Sequence, residues 1–325
     1  MTDKKSSPCL HRGVDPMVDV IFKKIFAREE TKNLLLSFIN ATLEHYNETK
    51  LKEIELLNPF NLQEYLTDKL SIVDIKGKDE KGEIIIIEIQ INMVSYYPKR
   101  LLYYWSRQYI GQLQQGEEYD KLQKVRLITV NKTKLPIDTS SFIHRFIVVD
   151  PDYNLRFCED FEIYSIDLKL FPKQAEEIQD SLERWAYFFK YGKYIKKDEL
   201  PPTLRTPEIE KALEELEVVS MDEKEWQLYE SRRIALMDQA SMIKGSYATG
   251  KKEGIQIGKK EGMLQGIRLA LEVKYGSEGL DAMKGLENIQ SIEELAQVEK
   301  LIKQCKSIEE FIDELGKLRK TRKTH

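Results

Sequence analysis

The stretch Ile84-Ile85-Ile86-Ile87-Glu88-Ile89-Gln90-Ile91 decides the fold of this chain. Its nearly continuous β-branched residues, bounded by Gly82 and Asn92, predict a strand that is buried on both faces. Alternation along a strand divides it into two faces, one with Ile86, Glu88 and Gln90 and the other with Ile85, Ile87 and Ile89. A buried ionised carboxylate at Glu88 is costly, so a cation, a hydrogen-bond network or a metal must compensate its charge.

A second carboxylate lies just upstream. The apolar run Leu70–Ile75 predicts a short strand with Asp74 near its end, and the charged segment 76–82, with its two glycines, predicts a hairpin loop. Antiparallel pairing across this loop brings Asp74 close to Glu88. Two converging carboxylates repel each other, and an oxygen-rich site of this kind suits Mg²⁺ or Mn²⁺. We favour this metal site over the alternative, in which each acid is matched to a Lys or Arg.

The pattern of Asp, a loop and Glu-x-Gln across a hairpin resembles the PD-(D/E)XK nuclease core, in the variant that carries Gln instead of the final Lys. Over about residues 15 to 190, further motifs resemble those of the PD-(D/E)XK nuclease family transposases, also called recombination-promoting nucleases. These motifs are Asp19-Val-Ile-Phe-Lys-Lys-Ile-Phe26, Leu35-Leu-Ser-Phe-Ile-Asn40, Asp68-Lys69, Arg100-Leu-Leu-Tyr-Tyr-Trp-Ser106, Gln112-Leu-Gln-Gln-Gly-Glu-Glu-Tyr119 and Val125-Arg-Leu-Ile-Thr-Val130. The resemblance is specific because several spaced motifs agree.

The resemblance implies an α/β fold with a restriction-endonuclease-like core, in which helices flank a central mixed sheet. It also implies hydrolysis of a phosphodiester with Mg²⁺ or Mn²⁺ as cofactor. Asp74 and Glu88 would be the main metal ligands, and the backbone carbonyl of Ile89 would add another oxygen. Gln90 would orient the attacking water, but its amide does not neutralise charge as the usual Lys does. Lys69 and Lys76 are candidates for the missing cation, and the sequence favours neither.

Asp19 lies on the first predicted helix, where related nucleases carry an additional acid that faces the site. It is therefore a candidate metal ligand. The alternative is an N-cap or first-turn acid, which the helix dipole favours.

DNA is the predicted partner, contacted by a helix that we predict over 96–115. This helix places Arg100, Tyr104 and Arg107 along one face beside the hairpin, where they suit a phosphate backbone and position it without reading its sequence. The alternative is an amphipathic helix whose arginines are only solvated. We therefore predict a metal-dependent DNA endonuclease. The competing hypothesis is a degenerate nuclease fold that acts as a DNA-binding or self-assembling module, and an RNA substrate is a third option.

Composition limits the other possibilities. The net charge of −4 over 325 residues is not that of a protein held to nucleic acid by bulk charge. The three cysteines lack pairing or metal spacing, which fits a reducing compartment, and the four histidines form no cluster for zinc. No apolar run has the length of a membrane span and no signal-peptide core is present, so we expect a cytoplasmic protein.

The predicted domains are a disordered segment 1–14, a nuclease-like domain 15–195 and a helical C-terminal region 196–325, with the boundary marked by Pro201, Pro202 and Pro207. Within the C-terminal region, a glycine recurs at every fourth residue over 250–266. Each glycine inside a helix costs about 1 kcal/mol relative to Ala. A glycine stripe lets a second backbone approach closely, so we predict self-association through it. A flexible linker is the alternative.

Overall fold

The computed structural model describes residues 13–59, 73–286, 289 and 291–322. The chain divides into two compact units between Met237 and Asp238. The helices are α1 (Asp19–Phe26), α2 (Lys32–His45), α3 (Tyr97–Ile110), α4 (Ser181–Tyr191), α5 (Pro207–Met221), α6 (Glu223–Met283, interrupted at Gly276), α7 (Ile292–Gln304) and α8 (Ile308–Arg322). The strands are β1 (Ile54–Leu56), β2 (Ile75–Asp79), β3 (Ile84–Gln90), β4 (Val125–Asn131), β5 (Ile143–Phe146), β6 (Val149–Asp150), β7 (Leu155–Arg156) and β8 (Phe161–Asp167).

The first unit is built on a mixed six-stranded sheet in the order β1-β2-β3-β4-β8-β5. Strands β3, β4 and β8 are parallel to each other, whereas β1, β2 and β5 pair with their neighbours in the antiparallel sense. Strands β6 and β7 form a separate two-stranded hairpin. Helices cover the sheet, which confirms the predicted α/β fold class.

Strand β3 lies inside the sheet and contributes to a hydrophobic core on each face. Ile85, Ile87 and Ile89 belong to the larger core with α1, α2, α4 and α5. Ile86 belongs to a smaller core, to which α3 contributes Tyr97 and Leu101. The alternation predicted from the isoleucine run is therefore confirmed.

The predicted bounds of the first hairpin strand were wrong. Strand β2 covers residues 75–79, of which 76–79 lie in the segment predicted as the loop, and the turn is confined to about 80–83. Gly77 lets β1 approach this polar strand closely. A Cβ atom there would lie 2.6 Å from Cδ1 of Ile54, so the missing side chain admits this isoleucine from β1. Of the predicted strand 70–75, residues 70–72 lie outside the described part of the chain.

The first unit extends to Met237, beyond the boundary predicted at residue 195. Leu204, Ile209, Leu216 and Tyr229 are buried in its larger core. Pro207 occupies the first turn of α5 behind the N-cap Thr206, so it starts a core helix and does not end the domain.

Two further boundaries differ from the prediction. Helix α3 ends at Ile110 and not at residue 115, and the chain turns at Gly111. Val14 is buried in the core, so it does not belong to a disordered segment, while residues 1–12 lie outside the described part of the chain.

The second unit has its own small core, formed by side chains such as Ile267, Leu271, Leu295 and Phe311. The glycine segment 250–266 is helical within α6. A Cβ atom added at any of its five glycines would meet no other atom within 4 Å in the part of the chain that the structure describes. The stripe is therefore open, and self-association through it stays a prediction. Among the described residues, no helix is long and apolar enough to cross a membrane.

Candidate active site

Asp74 and Glu88 converge where β2 and β3 begin to pair. The register matches Ile75 with Ile87, and its continuation by one residue sets Asp74 opposite Glu88. The two residues are joined by reciprocal bonds. The backbone N–H of Asp74 donates to Oε1 of Glu88 (3.1 Å), and the N–H of Ile89 donates to Oδ2 of Asp74 (2.9 Å). The sequence predicted this proximity, although it placed the strand differently.

The surroundings of the pair disfavour two negative charges. Glu88 is only 5% exposed, and burial, followed by repulsion from Asp74, raises its pKa well above the ordinary value. Burial likewise raises the pKa of Asp74, although the charge of Lys23 opposes this shift. A site of this kind accommodates either a proton or an additional cation.

Lys23 supplies one cation, which the sequence analysis had not assigned. Its Nζ lies 3.8 Å from Oδ1 of Asp74, and its side chain is 11% exposed. Lys23 reaches this position because α1 is short and buried along almost its whole length. The sequence contains one indication of this role, which is a lysine among the core positions of an apolar helix. For Lys76, an earlier candidate, no described contact joins the ammonium group to the carboxylates, and Lys69 lies outside the described residues.

Arg100 supplies a second cation and fixes Gln90. Its guanidinium donates to Oε1 of Gln90, and the Gln90 amide group donates to the carbonyl of Asn92. The Arg100 guanidinium lies over the rings of Tyr97 (4.7 Å) and Tyr104 (5.7 Å). Its charge lowers the pKa of both carboxyls, against the larger effect of burial. Gln90 therefore holds a positive charge beside the carboxylates, although it carries none itself.

The comparison with protein families bears directly on this arrangement. A family model described as PD-(D/E)XK nuclease family transposase matches residues 16–246. The chain belongs to this family. The mixed sheet with flanking helices is consistent with the restriction-endonuclease-like fold of PD-(D/E)XK proteins, and membership suggests a nuclease-type function. Comparisons with curated proteins and with solved structures give no match.

Asp19, the additional acid expected in this PD-(D/E)XK family, is held in an ion pair. Nε of Arg232 lies 2.8 Å and 2.9 Å from its two carboxylate oxygens, and Nη2 lies 2.8 Å from Oδ2. Asp19 is still close enough for its charge to raise the pKa of Asp74. Arg232 comes from α6, far along the chain, and the sequence offered no signal for this contact.

The residues predicted to contact DNA lie at different distances from the carboxylates. Arg100 lies at the carboxylates, and Tyr104 is half-buried beside it. Burial is the main cause of a raised pKa at Tyr104. Arg107 is exposed further along α3, and no described contact joins it to the carboxylates.

Two rows of polar side chains extend the site across the sheet, and the sequence analysis missed them. One row aligns Glu88 with Thr129 and Ser165, and the next aligns Gln90 with Asn131 and Asp167. The four residues of β4 and β8 are buried and joined by hydrogen bonds of 2.8–3.0 Å. The signal was polar residues at alternate positions of two otherwise apolar strands. Such a satisfied network rigidifies the sheet behind the carboxylates.

The candidate ligands at this site fit a divalent ion that is held by only two side chains. The described residues contain no group of three His, Cys, Asp or Glu side chains arranged to hold a metal. Mg²⁺, however, is commonly bound through one or two carboxylates, with water and substrate phosphate completing its shell. Asp74 and Glu88 provide two carboxylates whose pKa values are raised mainly by burial, and a bound cation would oppose that shift. The pair therefore fits an ion held by two side chains.

Proposed function

We propose that this protein is a metal-dependent DNA endonuclease of the recombination-promoting type, which hydrolyses phosphodiesters at Asp74 and Glu88. The observation that carries the proposal is the reciprocal bonding of these two acids in a buried setting, within a chain of the PD-(D/E)XK nuclease family transposases. DNA as substrate and Mg²⁺ or Mn²⁺ as cofactor are part of the proposal.

The residues divide the chemistry among them. Asp74 and Glu88 would hold the ion, with the Ile89 carbonyl as a further oxygen. When bound, such an ion acidifies a water and offsets phosphate charge. Lys23 and Arg100 place fixed positive charge beside the reacting phosphate, where it stabilises the developing negative charge. Gln90 orients Arg100 and, through its amide, the attacking water. Asp19 becomes a ligand only if it leaves Arg232.

The test is nicking of supercoiled plasmid by the purified full chain with Mg²⁺, with Mn²⁺ and with EDTA. We expect metal-dependent nicking that falls by about 10²-fold or more in Asp74→Asn and Glu88→Gln, because several kcal/mol of transition-state stabilisation are lost. Both variants keep a hydrogen-bond acceptor at the site. Glu80→Gln, at the exposed turn of the same hairpin, is the matched control and should nick normally. Equal nicking by the wild type and both site variants would refute the proposal.

A second candidate is a nuclease fold without turnover that binds DNA. Two observations favour it: the absence of a three-ligand group among the described residues, and Gln90 in place of the motif's lysine. It predicts salt-dependent DNA binding with no nicking under any metal. The plasmid assay, run beside a binding titration at two salt concentrations, separates the two candidates.

A further inference from the structure

A row of aromatic and cationic side chains lies along the outer surface of α3. We call it the tyrosine stripe, and it consists of Tyr96, Lys99, Tyr103, Arg107 and Ile110. At 3.6 residues per turn, these positions fall within an arc of about 80° on the helix. Tyr96 is 60% exposed, Tyr103 58% and Ile110 70%, and the two cations are also exposed.

The stripe adjoins the candidate active site through Tyr103. Arg100, on the same helix, bonds Gln90 and lies over Tyr104, whose ring is 6.2 Å from that of Tyr103. From Tyr96 to Ile110 the stripe runs about 20 Å along the helix axis. A strand bound to the stripe would therefore pass beside Arg100, whose charge acts on both carboxylates.

The charge of α3 complements phosphate. The helix contains Lys99, Arg100 and Arg107 and no acidic residue, in a chain whose net charge is −4. Cations that follow a backbone, interleaved with aromatic rings, characterise surfaces that bind single-stranded nucleic acid, since unpaired bases stack on the rings. A duplex offers its phosphates to such a surface but keeps its bases stacked inside.

We infer that the tyrosine stripe binds single-stranded DNA next to the cleaved bond, with Tyr96 and Tyr103 stacking on unpaired bases and Lys99 and Arg107 contacting phosphates. The two rings are about 10 Å apart along the axis, so they would stack on two different bases of the same strand. The inference deepens the proposed function, because it assigns the site a substrate that is single-stranded or locally unpaired.

The test is fluorescence anisotropy in EDTA with a labelled single-stranded DNA oligonucleotide and with the matching duplex. The variant is Tyr96→Ala/Tyr103→Ala. The control is Tyr153→Ala/Tyr194→Ala, which removes two tyrosines of similar exposure (75% and 74%) outside the stripe. We expect about ten- to hundredfold weaker binding of the single strand and a change of less than about threefold for the duplex. Tyr96→Phe/Tyr103→Phe keeps the rings and should bind like the wild type.

Three results would overturn the inference: unchanged single-strand affinity in the alanine variant, an equal loss for the duplex, or tighter binding of an RNA oligonucleotide of the same sequence. Because EDTA removes the metal, binding is measured independently of cleavage. Stripe-dependent binding by a protein that never nicks plasmid would support the inference and refute the nuclease. Nicking by a protein without stripe-dependent binding would support the nuclease and refute the inference.

Discussion

At the scale of residues, Asp74 and Glu88 hold each other in place through the backbone. Each carboxylate accepts an N–H from the other strand, so the two acids are fixed at a short separation in a largely buried position. Lys23 and Arg100 oppose the resulting negative charge but leave the pKa of both acids raised. The free protein therefore has an electrostatic cost at this point that ligand binding can relieve.

Replacing Glu88 by Gln should stabilise the metal-free protein at neutral pH. A raised folded-state pKa means that the stability linked to Glu88 is present at low pH and lost as pH rises through that pKa. We expect Glu88→Gln to gain on the order of 1 kcal/mol at pH 7, or about 2–4 °C in Tm. The gain should vanish toward pH 4. Thermal melts in EDTA across this range check it, with Glu80→Gln as the control. A lower Tm for Glu88→Gln at pH 7 would contradict the prediction.

Lys23 should matter for turnover if it supplies charge at the phosphate. We expect Lys23→Met to slow nicking by about 10²-fold, the typical cost of removing one preorganised electrostatic group. Lys23→Arg should recover part of the rate. The matched control is Lys24→Met on the same helix, because Lys24 pairs with Glu225 and not with the carboxylates. The measurement is the rate of plasmid nicking under saturating Mg²⁺. A Lys23→Met enzyme as fast as Lys24→Met would exclude an electrostatic role of Lys23 in turnover.

Part of this site can be predicted from the sequence. The rest cannot, because it depends on contacts between elements that are distant along the chain. Glu88 and Gln90 stand out because they interrupt an apolar strand, and Asp74 because one hairpin joins it to them. Lys23 and Arg232 reach the site from distant elements, and such contacts leave no periodicity in a single sequence. Arg100 was singled out from its position, but its bond to Gln90 requires the packing of α3 on the sheet.

At the scale of elements, β8 contains a second buried acid in the opposite electrostatic situation. Glu162 is fully buried and accepts hydrogen bonds from Arg126 (3.1 Å), Arg145 and Arg156 (2.9 Å), with Lys124 at 3.3 Å. Burial alone would raise its pKa, but these cations lower it to about 2. Four basic side chains from β4, β5, β7 and the segment before β4 are thereby tied to one carboxylate.

Glu162→Gln should therefore be strongly destabilising. A lowered folded-state pKa gives stability that is present above the unfolded value and lost as pH falls toward 2. We expect a loss of about 3–5 kcal/mol at neutral pH, since four basic side chains lose the one fully buried carboxylate that they share, and a smaller difference at acid pH. Glu159→Gln, which removes an exposed partner of Arg156, should cost less than about 1 kcal/mol. Urea unfolding at pH 7 and at pH 3 measures both, and equal losses in the two variants would contradict this account.

Element boundaries were less predictable than element types. The sequence predicted a strand at 84–91, a first helix that contains Asp19 and a helix that contains Arg100, and all three are present. Strand β2 was misplaced since its charged residues and glycine resemble a loop. Its pairing with β1 includes the close approach of Ile54 to Gly77, a contact with a different strand that the local sequence does not reveal.

At the scale of the whole molecule, the glycine segment 250–266 makes no described packing contact that would account for its glycines. Its five glycines weaken the helix, yet none of the described residues lies where their side chains would be. We therefore predict that Gly254→Ala/Gly258→Ala/Gly262→Ala makes α6 more helical while weakening self-association at least tenfold. Circular dichroism and sedimentation equilibrium of the full chain measure the two effects. Gly245→Ala, outside the repeat, is the control. Higher helicity with unchanged association would exclude the stripe as an interface.

The reciprocal bonds between Asp74 and Glu88 also place two amide protons where they sense the charge of each acid. The N–H of Asp74 points at Glu88, and the N–H of Ile89 points at Asp74. In ¹H–¹⁵N spectra, these two resonances should move when either carboxylate loses its proton or gains an ion. The chemical shifts of these two amides would therefore report whether the site is occupied even in the absence of cleavage. They would also allow different metals to be compared.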